Sequence, residues 1–178
     1  TQNEFQIGGR QGLAQNFQGR LLEARAWNRV RSDAEIQNAA GLRLSGNEPG
    51  LVGLWHLDER SGTTAVDSSP NGLDGTTVGG SAWIAPFFVP PVASASLTFD
   101  GSDDHVSIPN GSKLNLTSGL TIEAWVKPSP KAHNTILMKG TYGYNLQIQN
   151  GRLGYWDHSS WNLGSGMVAN DEWQHVAV

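Results

Sequence analysis

Short runs of alternating apolar and polar residues dominate the chain, and Val, Ile, Leu, Phe and Trp fill their apolar positions. They occur at Glu4–Ile7, Gly19–Trp27, Leu51–Leu57, Ser96–Phe99, His105–Ile108, Leu120–Val126, Thr135–Met138, Tyr144–Gln149, Arg152–Trp156 and Glu172–Val178. A period of two marks half-buried strands. Glycine, asparagine, aspartate and serine separate the runs. Asn150-Gly151, between LQIQ and RLGYW, suits a two-residue type I′ hairpin, because both turn positions need positive φ. One stretch changes period. Ser32-Asp33-Ala34-Glu35 has the capping-box spacing, Ile36, Ala39 and Ala40 follow, and Gly41 is placed to stop a helix of about two turns. Many short strands with glycine-rich turns predict an all-β sandwich, barrel or jelly roll with one short helix.

Two segments interrupt the pattern. Gly75 to Phe99 carries no charge for 25 residues. Its length would span a membrane, but Pro86, Pro90 and Pro91 break any helix there. It reads as a strand or two followed by a proline-stiffened loop, Ala85 to Ala93. Residues 45–50, SGNEPG, read as a polar, flexible link joining two segments of different origin.

Composition narrows the function classes. The 178 residues include no cysteine, which excludes disulfides and cysteine-ligated metal centres. Twelve basic and sixteen acidic residues give a net charge of −4, and the sole basic cluster is Arg29-Val30-Arg31, so nucleic acid is not an expected partner. The opening at Thr1, with neither Met nor leader, reads as a processed or excised piece. No nucleophile elbow, phosphate loop, HExxH or GxGxxG motif occurs. Sandwich glycosidases of this kind carry two glutamates as E-x-D-x-x-E, and no E-x-D is present; Glu123 reads as a structural carboxylate. His56 and His175 read as structural, and Trp27, Trp55, Trp125 and Trp173 as packing residues. An enzyme is not expected.

Three stretches resemble a known family. Residues 17–36, FQGRLLEARAWNRVRSDAEI, are similar to the closing strand and helix of bacterial LamG-like domains, the laminin-G/pentraxin-like jelly rolls. Residues 51–75, LVGLWHLDERSGTTAVDSSPNGLDG, resemble the family's opening strand and its Asp-rich loop. Residues 97–127 resemble the strands that follow, and EWQHVAV a middle strand. The resemblance implies a concanavalin A-like jelly-roll sandwich of antiparallel strands. The order is rotated. Residues 1–44 carry the closing strands and helix, and residues 45–178 the opening and middle strands, together about one jelly roll's worth of structure. A half sandwich leaves unpaired edges and an exposed apolar face. The two segments therefore close within one permuted chain or exchange strands between copies.

The resemblance also implies candidate sites. LamG-like domains often hold calcium in loops like Asp67–Gly75, giving Asp67, Asn71 and Asp74 as ligands, with Glu23 from the closing strand. Pro70 stands where the family has glycine, and Leu22 takes the place of one carboxylate. The alternative is an Asx-turn loop in which Asp67 and Asp74 cap their own backbone. Asp100, Asp103 and Asp104 read as a polar hairpin turn. Tyr142, Tyr144, Trp156, His158 and Trp161, in or beside turns, form a candidate ligand face, because indole and phenol rings stack on sugar C–H faces. Trp161, in HSSWN, reads as a loop residue.

The expected function is a non-catalytic binding or adhesion module, extracellular or on the surface of a bacterium. It would recognise glycan or a surface protein, with calcium as a cofactor. The alternatives are a structural subunit of a fibre or matrix, a filament held by strand complementation, and an accessory domain of a secreted hydrolase.

Overall fold

The computed structural model describes residues 4–9, 15–85, 95–140, 143–157 and 159–178. The strands are β1 (Phe5–Ile7), β2 (Gln18–Trp27), β3 (Leu51–Trp55), β4 (Thr64–Ala65), β5 (Gly75–Val78), β6 (Ala82–Ile84) and β7 (Ser96–Asp100). They continue as β8 (His105–Ile108), β9 (Thr121–Pro128), β10 (His133–Lys139), β11 (Tyr144–Gln149), β12 (Arg152–Asp157), β13 (Trp161–Met167) and β14 (Gln174–Ala177). A helix, α1 (Asp33–Ala40), follows β2. Eight strands form one sheet in the order β13-β12-β11-β10-β1-β8-β5-β4. The other sheet runs β14-β9-β2-β7-β6, with β3 pairing β2 beyond the end of β7.

The N-terminal strands lie inside the sheets rather than at their edges. β1 sits between β10 and β8, and β2 between β9 on one side and β7 and β3 on the other. Residues 5–27 thus give each sheet an interior strand, flanked by strands from later in the chain. The inner faces share one core. Phe5 stacks on Trp55 at 5.3 Å between centroids, and Phe17 meets Phe99 edge-on at 6.1 Å. Leu21, Ile108, Ile122, Leu137 and Leu146 are fully buried around them. Each such side chain contributes about 1.5–3 kcal/mol.

Local chemistry explains the connections. Ser32 caps α1 and Glu35 returns the hydrogen bond to the Ser32 amide, completing the capping box; Gly41 ends the helix. Asn150 and Gly151 both have positive φ, 50° and 76°, as the type I′ turn requires. The segment 45–50 is tied rather than loose. The amides of Ser45 and Gly46 donate to the Glu48 carboxylate at 2.8 and 2.9 Å. Gly46 (φ 95°) packs so closely on the Ser68 carbonyl that no Cβ would fit.

Four strands lie outside the predicted runs. β4 and β6 are too short to show a period. β5 and β6 both lie in the uncharged segment, where a strand or two was expected, and the proline loop expected after them falls mostly outside the described residues. β13 begins at Trp161, so that residue is on a strand and not in a loop. Its pattern was hidden by Gly164, Ser165 and Gly166 and by exposure along most of its length.

Candidate functional site

A bulge in β2 between Leu21 and Glu23 sets up one surface. Beyond it Ala24 and Ala26 point into the core, and Glu23, Arg25 and Trp27 turn outward beneath α1. Arg25 is 1 % exposed. Its guanidinium reaches Glu23 at 2.5 Å and Glu123 at 3.3 Å, and donates to the carbonyls of Ala39 (3.1 Å) and Leu42 (2.9 Å). Trp125 donates its indole N–H to the Ala40 carbonyl at 2.8 Å. The helix has no basic residue in its last turn, so the sheet supplies the cation its C-terminal carbonyls favour. Glu123 also pairs with Arg31, and His175 Nε2 lies 3.3 Å from it. Burial pushes the Glu123 carboxyl up, but His175, Arg31 and Arg25 outweigh it and hold the group below its ordinary range. A carboxylate so enclosed by cations is a structural group.

Among the described residues, the carboxylates expected to hold calcium, Glu23, Asp67 and Asp74, do not bring three carboxylate oxygens within 4.8 Å of one another. Glu23 is 1 % exposed and is taken by Arg25 and by His56 Nδ1 at 2.8 Å. Asp67 spends its carboxylate on its own chain. Oδ1 accepts from the amides of Leu54 and Ser69, both at 2.9 Å; Oδ2 accepts from Ser69 Oγ and the Leu73 amide, both at 2.8 Å. A carboxylate offers about four acceptor sites, so none remains for a cation. Asp74 accepts the Asp67 amide at 2.9 Å, and Asn71 donates to the Val52 carbonyl at 3.0 Å. These donors fit the Asx-turn arrangement, and as placed they do not fit a metal.

Among the described residues, Asp100, Asp103 and Asp104 bring carboxylate oxygens within 4.8 Å of one another. They form the turn between β7 and β8. Asp104 is 2 % exposed, with its oxygens on the amides of Asp100 (2.8 Å) and Gly80. Lys131 braces the same turn by donating to the Gly101 carbonyl at 2.6 Å.

The predicted ligand face divides. Tyr142 and His158 lie outside the described residues. Tyr144 points inward. It is 1 % exposed, packs 6.3 Å from Phe5, and donates its hydroxyl to the Leu114 carbonyl at 3.0 Å; burial pushes its phenol up. Trp156 and Trp161 stand directly opposite each other on β12 and β13, at one end of a row across the outer face of the eight-stranded sheet. Strand register continues that row through Asn145, Met138, Gln6, Ser107, Thr76 and Thr64. Trp161 lies against Gly154, where an added Cβ would come within 2.6 Å of the indole.

Asp157 shapes the turn that delivers Trp161. Its oxygens accept from the amides of Ser160 (2.8 Å) and Ser159 (3.1 Å), from both serine hydroxyls and from Asn162. The Ser160 amide, then Ser159, hold this carboxyl well below its ordinary range. Sequence reasoning passed over Asp157, although D-x-S-S before a strand is an Asx-turn signal.

Two recesses flank these aromatics. A groove of about 490 Å³ runs between β13 and β14, the end strands of the two sheets, lined by Leu153, Tyr155, Leu163, Met167, Val176 and Val178 among others. A pocket of about 350 Å³ lies at one end of the sandwich, among Leu116, Leu120, Tyr144, Asn145, Tyr155, Trp156 and Asp157. Tyr155 and Val178 border both. No described helix is long and apolar enough to cross a membrane.

Comparison with curated proteins and with solved structures returned no match. Residues 100–178 match a laminin G family model described as the concanavalin A-like lectin/glucanases superfamily. That stretch is thus similar to laminin G domains, and the two antiparallel sheets with one helix form an all-β sandwich of the concanavalin A-like kind.

Proposed function

We propose that this jelly roll is an extracellular, non-catalytic module that binds glycan on the outer face of β12 and β13. Laminin-G-type domains are generally binding modules, which supports the coarse reading. The observation that carries the finer one is the tryptophan pair, Trp156 opposite Trp161, partly exposed on the outermost strands of the sheet. Indole faces stack on sugar C–H faces, and side-chain amides exchange hydrogen bonds with hydroxyls. In this reading the two segments of the chain close on each other within one protomer.

The test is titration of a broad glycan panel against the protein and Trp161→Ala, followed by tryptophan fluorescence and calorimetry. At least one neutral glycan is expected to bind, and the substitution to weaken it about ten-fold, the worth of one stacking contact. A panel with no binder at millimolar concentration sinks the glycan reading.

A second reading has its own observation. Among the described residues β13 and β14 end their sheets, and apolar side chains line the groove between them. Leu163 and Met167 are 45 % and 69 % exposed there. A strand from another copy entering this groove would extend a sheet and build a fibre. Light scattering at high concentration separates the two: a monodisperse, fully folded monomer removes the fibre.

A further inference from the structure

The end pocket carries the inference further. Asn145 is 6 % exposed, borders the pocket, and its side-chain Oδ1 is fully buried with no hydrogen-bond partner. An unpaired buried acceptor costs about 1–3 kcal/mol, and folded proteins keep few of them. The cost is offset when a ligand brings the missing donor. His175 Nε2, which lines the edge groove and also lacks a hydrogen bond, differs, because Glu123 lies 3.3 Å away.

We propose that this pocket receives an uncharged sugar ring of the glycan, with a ring hydroxyl donating to Asn145 Oδ1. The proposal rests on the glycan reading above and names where one ring is held and by which group. Three features select that chemistry. Leu116, Leu120, Tyr155 and Trp156 are among its lining residues, so apolar and aromatic surface is present to meet the C–H faces of a ring. Tyr144 also lines the recess, and its hydroxyl is already committed to the Leu114 carbonyl, which leaves Asn145 Oδ1 as the open acceptor. Asp157 at the same pocket is ionised and already accepts from Ser159, Ser160 and Asn162. It therefore repels a sugar carboxylate and has little acceptor capacity left. A volume of about 350 Å³ is at the small end of ligand pockets.

The probes are the methyl glycosides of glucose, galactose and mannose, methyl glucuronide, and the oligosaccharide identified by the panel. Calorimetry is run on the protein, Asn145→Leu and Leu120→Trp. Asn145→Leu removes the unpaired acceptor at similar volume and is expected to keep or raise the melting temperature. Leu120→Trp puts a larger side chain into the pocket lining while leaving Asn145 in place. At least one neutral methyl glycoside is expected to bind, methyl glucuronide to bind at least ten-fold more weakly, and both substitutions to cost about ten-fold or more. If the oligosaccharide binds, is weakened by Trp161→Ala, and is unaffected by both pocket substitutions, the pocket assignment is overturned and the glycan reading stands. If no probe binds at all, both fall together.

Discussion

The outer faces of the two sheets bury different kinds of polar group. On the six-stranded sheet, Glu23, Arg25, Arg31 and Glu123 are at most 8 % exposed, and every charge has an opposite charge beside it. Helix α1 covers them and is itself held by Arg25 and Trp125. On the eight-stranded sheet, Asn145 and Thr135 are as deeply buried, yet Asn145 Oδ1 and Thr135 Oγ1 bond to nothing. Trp156 and Trp161 stay partly exposed next to Asn145. A charge-paired network under a helix stabilises one fold, although Trp27 Nε1 and Arg31 Nε within it also lack hydrogen-bond partners. An unsatisfied amide beside exposed rings leaves free energy for a partner to gain.

Four experiments would break or sharpen that contrast. The largest effect is expected from Arg25→Met, which leaves Glu23 with His56 alone and frees the carbonyls of Ala39 and Leu42. Breaking one side of a buried pair costs about 3–5 kcal/mol. Urea unfolding measures it, and a loss under about 1 kcal/mol would mean the network is not what fastens the helix. Next comes Asp67→Asn, which turns acceptors facing the Leu73 and Ser69 groups into an amide donor. A loss of about 2 kcal/mol is expected, and added calcium should not restore it. A calcium-induced rise in the melting temperature of the unsubstituted protein, abolished by Asp67→Asn, would show instead that the carboxylate binds the ion.

Acid is the third probe. Glu123 is depressed in the folded protein, while in the unfolded chain it titrates near about 4.3. As pH falls past that value the unfolded chain takes up the proton first. The Glu123 contribution is therefore complete above the unfolded value and is lost as pH falls through the lower native one. Glu123→Gln should flatten that acid limb of stability against pH; an unchanged slope would assign acid sensitivity elsewhere. The smallest stability effect belongs to Trp161→Ala, about 0.5 kcal/mol or less, set against its ten-fold effect on binding. A large loss of stability there would make Trp161 a packing residue and blur the contrast.

The sequence was most legible where chemistry is local. The capping box, the Asn150-Gly151 turn and the strands with apolar alternation are all governed by neighbours within a few positions. What depends on distant pairing was not. Arg25 looks like an ordinary strand residue until the β2 bulge and α1 enclose it. Tyr144 and Asn145 are adjacent, and only register decides which enters the core and which faces outward. The tyrosine was expected at a ligand face and is core, whereas the asparagine drew no attention. The Asp67 loop was read in two ways, and the hydrogen bonds to Leu54, Ser69 and Leu73 favour the turn.

The interior placement of β1 and β2 has a consequence in time. Phe5 pairs with both Ile108 and Lys139, and Glu4 meets Ser107, 103 positions away. During synthesis β1 leaves the ribosome long before its partners β8 and β10 exist, and β2 long before β7 and β9, with only β3 close behind it. Contacts so distant in sequence slow folding towards milliseconds to seconds, and the unpaired strands stay available to other chains meanwhile. The nascent N-terminal segment is thus the place where a chaperone holding extended apolar strands would act.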